Sequence, residues 1–213
     1  MGELGIYSEH ATADEPTCHI PLIIRWPGAR RGINQGLYGN IDLCPTLADL
    51  LGVPHFDQWD GVSFASTLLP EIPNPGQSKP DGRDFLVLSQ QAHVCQRSVR
   101  FDEWLYVRTL HDGYHLFPRE MLFNLADDPH ETHDLAEELP ELCSKAARLL
   151  LGWQEEMMLT APGIYDPMWT VMQEGGPYHA RGHLDAYLLR LDATGRKAGA
   201  DALRRKYKKQ GPV

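Results

Sequence analysis

The sequence contains no run of about 18 consecutive apolar residues, so no segment reads as membrane-spanning. It is also poor in cysteine: Cys18, Cys44, Cys95 and Cys143 stand far apart, with no CxxC pair, which excludes the usual zinc-ribbon spacing. An even count permits disulfides without pairing them, and the reading is buried free thiols in a reducing compartment. Gly-x-Ser-x-Gly, a Walker loop and Gly-x-Gly-x-x-Gly are all missing, which removes the common signatures of serine hydrolases, P-loop proteins and dinucleotide binders. The start, Met1-Gly2-Glu3-Leu4, has neither a basic nor an apolar region of the kind a signal peptide needs. Basic residues are scarce through residue 180, 11 against 26 acidic ones, and only the last 33 residues reverse the balance, with 9 basic and 3 acidic. An acidic body argues against nucleic acid as a partner. The basic tail, Arg204, Arg205, Lys206, Lys208 and Lys209, reads as a solvated helix end.

What is present suffices for a folded body. Of the 213 residues 42% are hydrophobic and 23% charged, which excludes a wholly disordered chain and a small disulfide scaffold. The continuous apolar run Leu22-Ile23-Ile24, closed by Pro27-Gly28, predicts a strand over 19–28 covered on both faces, as in a parallel sheet flanked by helices. Residues 41–52 predict a helix, with Asp42 as N-cap, Pro45 in the first turn, Gly52 as C-terminal cap, and Leu43, Leu47, Leu50 and Leu51 on one face. A strand followed by a packed helix is an α/β pattern. From Pro70 the composition turns to Pro, Gly and polar residues, so 71–83 reads as a linker between a region 1–70 and a region 84–158.

Beyond the linker the pattern becomes α+β. Short strand-like runs occur at 84–89, 96–101, 104–109 and 121–125, and Asp102-Glu103 fits a two-residue hairpin turn. Pro140 opens a long helix whose Leu142, Ala146, Leu149, Leu150, Trp153 and Met157 share one face. This predicts about four antiparallel strands packed on one helix, with Leu149 and Trp153 buried between them. Residues 159–213 read as an extended, partly helical basic arm, with helices near 184–191 and 198–209.

Ten histidines raise the question of a metal or catalytic site. His130 and His133, within Asp127-Asp128-Pro129-His130-Glu131-Thr132-His133-Asp134, read as part of a polar turn, because Asp-Asp-Pro is turn chemistry. His179 and His183 lack the neighbouring Glu of a zinc protease, and His111 and His115 flank a hairpin loop at Asp112-Gly113-Tyr114. His10 differs. It lies in a polar, Gly-punctuated segment ahead of the expected strand, and loops at strand ends carry the sites of α/β folds.

Several segments resemble the sulfatase family of the alkaline phosphatase superfamily, in that family's order. They are Gly2-Glu3-Leu4-Gly5, His10-Ala11-Thr12, Ile20-Pro21-Leu22-Ile23-Ile24-Arg25-Trp26-Pro27-Gly28, the run 41–52, Asp60-Gly61-Val62-Ser63-Phe64, Arg97-Ser98-Val99-Arg100 and 122–131. The resemblance covers about residues 1–158. It implies the end of an alkaline-phosphatase-like α/β sandwich domain, followed by a small α+β C-terminal subdomain. It also implies sulfuric ester hydrolysis by a formylglycine nucleophile beside a divalent cation, usually calcium, with a sulfate-ester substrate.

The departures from the family matter equally. The nucleophile motif, Cys or Ser-x-Pro-x-Arg, occurs nowhere, and the family's metal-ligating carboxylates are absent. The resemblance therefore implies the C-terminal part of a sulfatase, with nucleophile and metal ligands expected upstream of Met1 and no metal or catalytic residue in this chain. His10 falls near the family's sulfate-contacting lysine and becomes the one substrate-binding candidate. By this reading the chain alone is inactive. The alternatives are a phosphonate or phosphodiester hydrolase of the same superfamily, or a stand-alone, non-catalytic interaction domain.

Overall fold

The structure, a computed structural model, describes residues 4, 11–72, 82–160, 163 and 165–207. Contacts divide the chain into two units, one of residues 1–19 with 87–213 and one of residues 20–86. The division falls after residues 19 and 86, not in the 71–83 stretch, of which residues 73–81 lie outside the described residues.

The larger unit is built on a four-stranded sheet in the order β1-β2-β3-β4: β1 Phe85–Gln90, β2 Cys95–Phe101, β3 Trp104–His111 and β4 Glu120–Asn124. All four expected strands are present within two residues of their predicted ends. β2 and β3 pair antiparallel through the two-residue turn Asp102-Glu103, with Phe101 opposite Trp104 and Asp102 at a positive φ of 45°. β3 and β4 pair antiparallel with Leu105 opposite Phe123 and Val107 opposite Met121. The side-chain period of two places these four on one face, where they join Val94 and Phe117 in an apolar cluster. Val99, Phe101, Tyr106 and Leu122 lie on the other face.

That second face receives α4, Pro140–Thr160. The Lys145 ammonium stands 4.9 Å over the Phe101 ring, and the Arg97 guanidinium 5.2 Å over that of Trp153. Only Cys143 and Ala146 of α4 are fully buried, and Leu149 and Trp153 are half-buried, less than the amphipathic pattern predicts. Trp153 meets β2 through the Arg97 guanidinium, a polar contact that the apolar stripe alone does not foretell.

The arm after residue 160 is more helical than its Gly and Pro content predicts. The two expected helices are α6, Leu184–Ala193, and α7, Lys197–Tyr207. A further one, α5, Pro167–Gln173, precedes them, because the Asp166 carboxylate accepts from the Met168 N–H and Pro167 opens the first turn. α6 and α7 pack Leu188, Leu191, Ala200, Leu203 and Tyr207 around Tyr114. The basic end is only partly solvated: Lys206 and Tyr207 donate to the buried carboxylate of Asp112, while Lys208 and Lys209 lie outside the described residues.

In the smaller unit the helix expected over 41–52 is present as a 3-10 turn, Asn40–Asp42, running into α2, Leu43–Leu51, closed by Gly52 at φ 66°. A short helix, α3, Ala65–Leu68, follows. The strand expected over 19–28 is not formed. Residues 19–26 are irregular and largely exposed, with Ile23 94% accessible. A strand exists only through its ladder partners, and among the described residues none pairs with this run. Cys44 is exposed, against the expectation of buried thiols, and all four cysteines are free.

Arg97 and Asp166 make a bidentate buried ion pair in the larger unit, two parallel N–H···O bonds of 2.6 Å each. Burial pushes the Asp166 carboxyl up, but the Arg97 hydrogen bonds, the Met168 amide and Gln154 outweigh it and hold it below the usual range. The pair's contribution is therefore complete above the unfolded Asp value of about 3.9 and fades as pH falls through the lower folded value. Asp166→Ala, which strands the buried guanidinium, is expected to lower unfolding stability by about 3–5 kcal/mol in urea titrations at neutral pH.

Candidate functional site

The site is built on the segment 11–19, which follows directly on His10. His10 itself lies outside the described residues. Ala11, Thr12, Ala13 and Asp14 are all buried, so the stretch read as an open polar loop is, from residue 11 on, an interior strap. Small side chains allow this: Ala-Thr-Ala lies close against the sheet. At its end α1, Glu15–Cys18, begins, with the Thr17 N–H donating to Asp14 Oδ1 at 3.2 Å and Pro16 in the first turn.

The face of β2 that carries Gln96, Ser98 and Arg100 holds the strap. The Ala13 N–H donates to Gln96 Oε1 at 3.1 Å, and Gln96 Nε2 donates to Thr109 Oγ1 on β3 at 3.1 Å. Arg100 Nε stands 3.8 Å from the Glu15 carboxylate, and Arg100 also donates to the Asp102 carbonyl. From the β4–α4 loop, Glu131 Oε1 accepts the Glu15 N–H at 2.8 Å.

That loop is the polar turn its sequence predicts. Asp128 accepts from Thr132 N–H and Oγ1–H and from His133 N–H, and these bonds outweigh its slight desolvation and hold its carboxyl low. His133 reaches the exposed Glu138 at 3.3 Å. His130 lines an open groove of about 660 Å³ together with His19, Glu15, Arg100, Asp102 and Glu103. Pro16, Leu125, Ala126 and Pro129 supply its apolar wall. His179 does not share a helix with His183. It sits in a turn, its ring stacked on His93 at 4.3 Å. His111 closes β3 and accepts the Gly113 N–H at 3.0 Å.

Three buried oxygens border the strap without a hydrogen-bond partner among the described residues: Thr12 Oγ1, Ser98 Oγ and Glu131 Oε2. The only sequence signal for this arrangement was the polar composition of β2, whose Gln96, Arg97 and Ser98 are too hydrophilic for a strand buried on both faces unless partners arrive from elsewhere.

In the smaller unit, the motifs 41–52 and 60–64 meet around one carboxylate. Asp42 accepts from the Gly39 N–H at 2.8 Å, the Val62 N–H at 2.7 Å and the Arg83 guanidinium. Thr46 Oγ1 donates to the Asp42 carbonyl and accepts the Phe64 N–H. A Cβ at Gly61 would lie 2.1 Å from the Ile41 carbonyl oxygen, so only glycine fits there. Asp42 holds N-cap position, yet its carboxylate serves these partners and not α2. These motifs are scaffold. Among the described residues no three His, Cys, Asp or Glu side chains gather as metal ligands.

No family model matches the chain. Arylsulfatase K of Danio rerio is 32% identical over 142 residues, taking in 64% of this chain and 26% of that protein. Choline-sulfatase of Rhizobium meliloti (strain 1021) is 31% identical over 140 residues, 64% of this chain and 25% of that protein. Among solved structures, a 2-O GAG sulfatase superposes with a TM-score of 0.42 and 22% identity over 65% of this chain and 29% of its own. A protein solved with its substrate D-glucosamine-2-N,6-O-disulfate gives 0.47 and 18% over 61% and 26%. Over these residues the chain is similar to sulfatases. It spans about a quarter of the length of the curated relatives it matches.

Gln96→Leu would leave the Ala13 N–H and the Thr109 hydroxyl without a protein partner in a buried layer. Expected are a loss of about 2–4 kcal/mol in denaturant titrations and faster amide exchange at Ala13, with β4 unaffected.

Proposed function

We propose that this chain is the C-terminal share of an enzyme that hydrolyses a sulfate ester, and that it supplies scaffold and one substrate contact but not the nucleophile. The observation that carries this reading is the match to curated sulfatases across about 140 residues, whose motifs fold around the Asp42 node and the strap 11–19. His10, directly ahead of the buried strap, is the proposed contact to a sulfate oxygen. An imidazole can donate that hydrogen bond, and its charge would follow pH through the neutral range. Nucleophile and calcium are proposed to come from outside the described residues. The sequence contains no Cys or Ser-x-Pro-x-Arg.

The smaller unit's surface fits an assignment to a larger body. Ile20, Leu22, Ile23, Ile33, Leu51 and Phe56 are all more than half exposed. The occupant proposed to cover these side chains is the remaining three quarters of the sulfatase.

Two assays test the proposal. The purified 213-residue chain is expected to release no 4-nitrophenol from 4-nitrophenyl sulfate above the protein-free rate. In a longer gene product carrying the nucleophile motif, His10→Ala is expected to lower kcat/KM for sulfate esters by about 10²-fold, the usual loss for one donor to a developing charge. Turnover by the short chain that disappears in His10→Ala would overturn the division of labour. A longer product that cleaves phosphodiesters but no sulfate ester would overturn the substrate class.

A further inference from the structure

Glu131 is a carboxyl in an unusual position. It is 3% accessible, it accepts the Glu15 N–H through Oε1, and its Oε2 is buried with no hydrogen-bond partner among the described residues. Its backbone sits at φ +54°, a conformation most side chains avoid, and is held there by its N–H donating to the Asp128 carbonyl at 3.1 Å. The surrounding structure spends several bonds to place this one acid under the strap.

The groups that face it are mostly acidic. From the strap come Asp14, Glu15 and Cys18, and from its own loop Asp128. Arg100, the cation that the sheet sets beside Glu15, is engaged by that carboxylate and by the Asp102 and Trp104 carbonyls. An ionised Glu131 would therefore place a second buried negative charge beside Asp14, with one oxygen unsolvated.

We propose that Glu131 is a proton-dependent latch for the strap 11–19: with its carboxyl neutral the strap is seated on the sheet, and ionisation unseats it. Burial first of all, opposed by the Glu15 N–H and reinforced by Asp14, Glu15 and Asp128, pushes the Glu131 carboxyl from about 4.5 up to about 8. Cys18, pushed up to about 12 by burial and Asp14, stays a thiol throughout that range. The sign follows from linkage. The seated state binds this proton more tightly than the open one, so the seat is firmest below pH about 4.5, weakens as pH rises, and is weakest above about 8. The bearing on catalysis rests on the sulfatase reading, in which the residue next to the strap in sequence, His10, is the proposed sulfate contact.

Hydrogen exchange of the 213-residue chain at pH 6 and pH 9 tests the latch, with protection factors corrected for intrinsic rates. In the wild type, amides 13–19 should lose about 10²-fold in protection between pH 6 and pH 9, the change that a proton bound with a midpoint of about 8 in the seated state and about 4.5 in the open one imposes on the seating equilibrium, while β3 keeps its own. Glu131→Gln, neutral at every pH and still an acceptor for the Glu15 N–H, should hold protection at both. Equal wild-type protection at the two pH values, or an equal loss in Glu131→Gln, would overturn the proposal. If that variant does not fold, infrared spectra of the wild type decide: a buried protonated-carboxyl band present at pH 6 and gone at pH 9 supports the latch, and its absence at pH 6 rejects it. These readouts involve no sulfate, so a failed latch and a failed sulfatase assignment remain distinguishable.

Discussion

β2 is a polar strand buried on both faces, and the larger unit is arranged to satisfy it. Gln96, Arg97 and Ser98 have no business in an apolar interior unless each finds partners. Two of the three draw in chain from far away: Gln96 takes the Ala13 N–H, 83 residues distant, and Arg97 takes Asp166, 69 residues distant. One face of the strand thereby gains the strap that leads from His10, and the other gains α5 and the arm behind it. Ser98 keeps an unpartnered hydroxyl among the described residues, and it lies in the same layer as Glu131. The polar side chains that make β2 costly to bury are the ones that fix what lies against it.

The smaller unit follows the same logic on a smaller scale. A single buried carboxylate, Asp42, joins the turn before α2, the Asp60–Phe64 motif and Arg83. Motifs that signalled a family in the sequence here hold backbone together, through the Asp42 carboxylate and the Thr46 hydroxyl.

The mixed α/β character, the four strands, the 102–103 hairpin and the long helix were legible because they rest on local signals: alternation, a two-residue turn and an apolar stripe. The strand over 19–28 was misread for a physical reason. Leu22-Ile23-Ile24 has strand propensity, but propensity alone cannot supply a ladder. The burial of Ala11–Asp14 was invisible, because four small residues look the same in a loop as in a strap. α5 was legible in principle from Asp166-Pro167, a cap followed by a helix-starting proline, and was hidden by the Gly-rich stretch around it. Glu131 had no readable signal at all. In sequence it is one acid in a turn full of acids, and only the fold shows that it points inward.

A double-mutant cycle on Arg97 and Asp166 tests the central claim most directly, since it isolates what the buried polar strand gains from its distant partner. Arg97→Met, Asp166→Leu and the pair together would be compared by urea unfolding at neutral pH. The account predicts a coupling of about 2–3 kcal/mol, with the double variant far less destabilised than the sum of the singles, because an apolar pair removes both buried charges at once. Additivity within about 0.5 kcal/mol would contradict it and would mean that α5 docks on the sheet independently of Arg97.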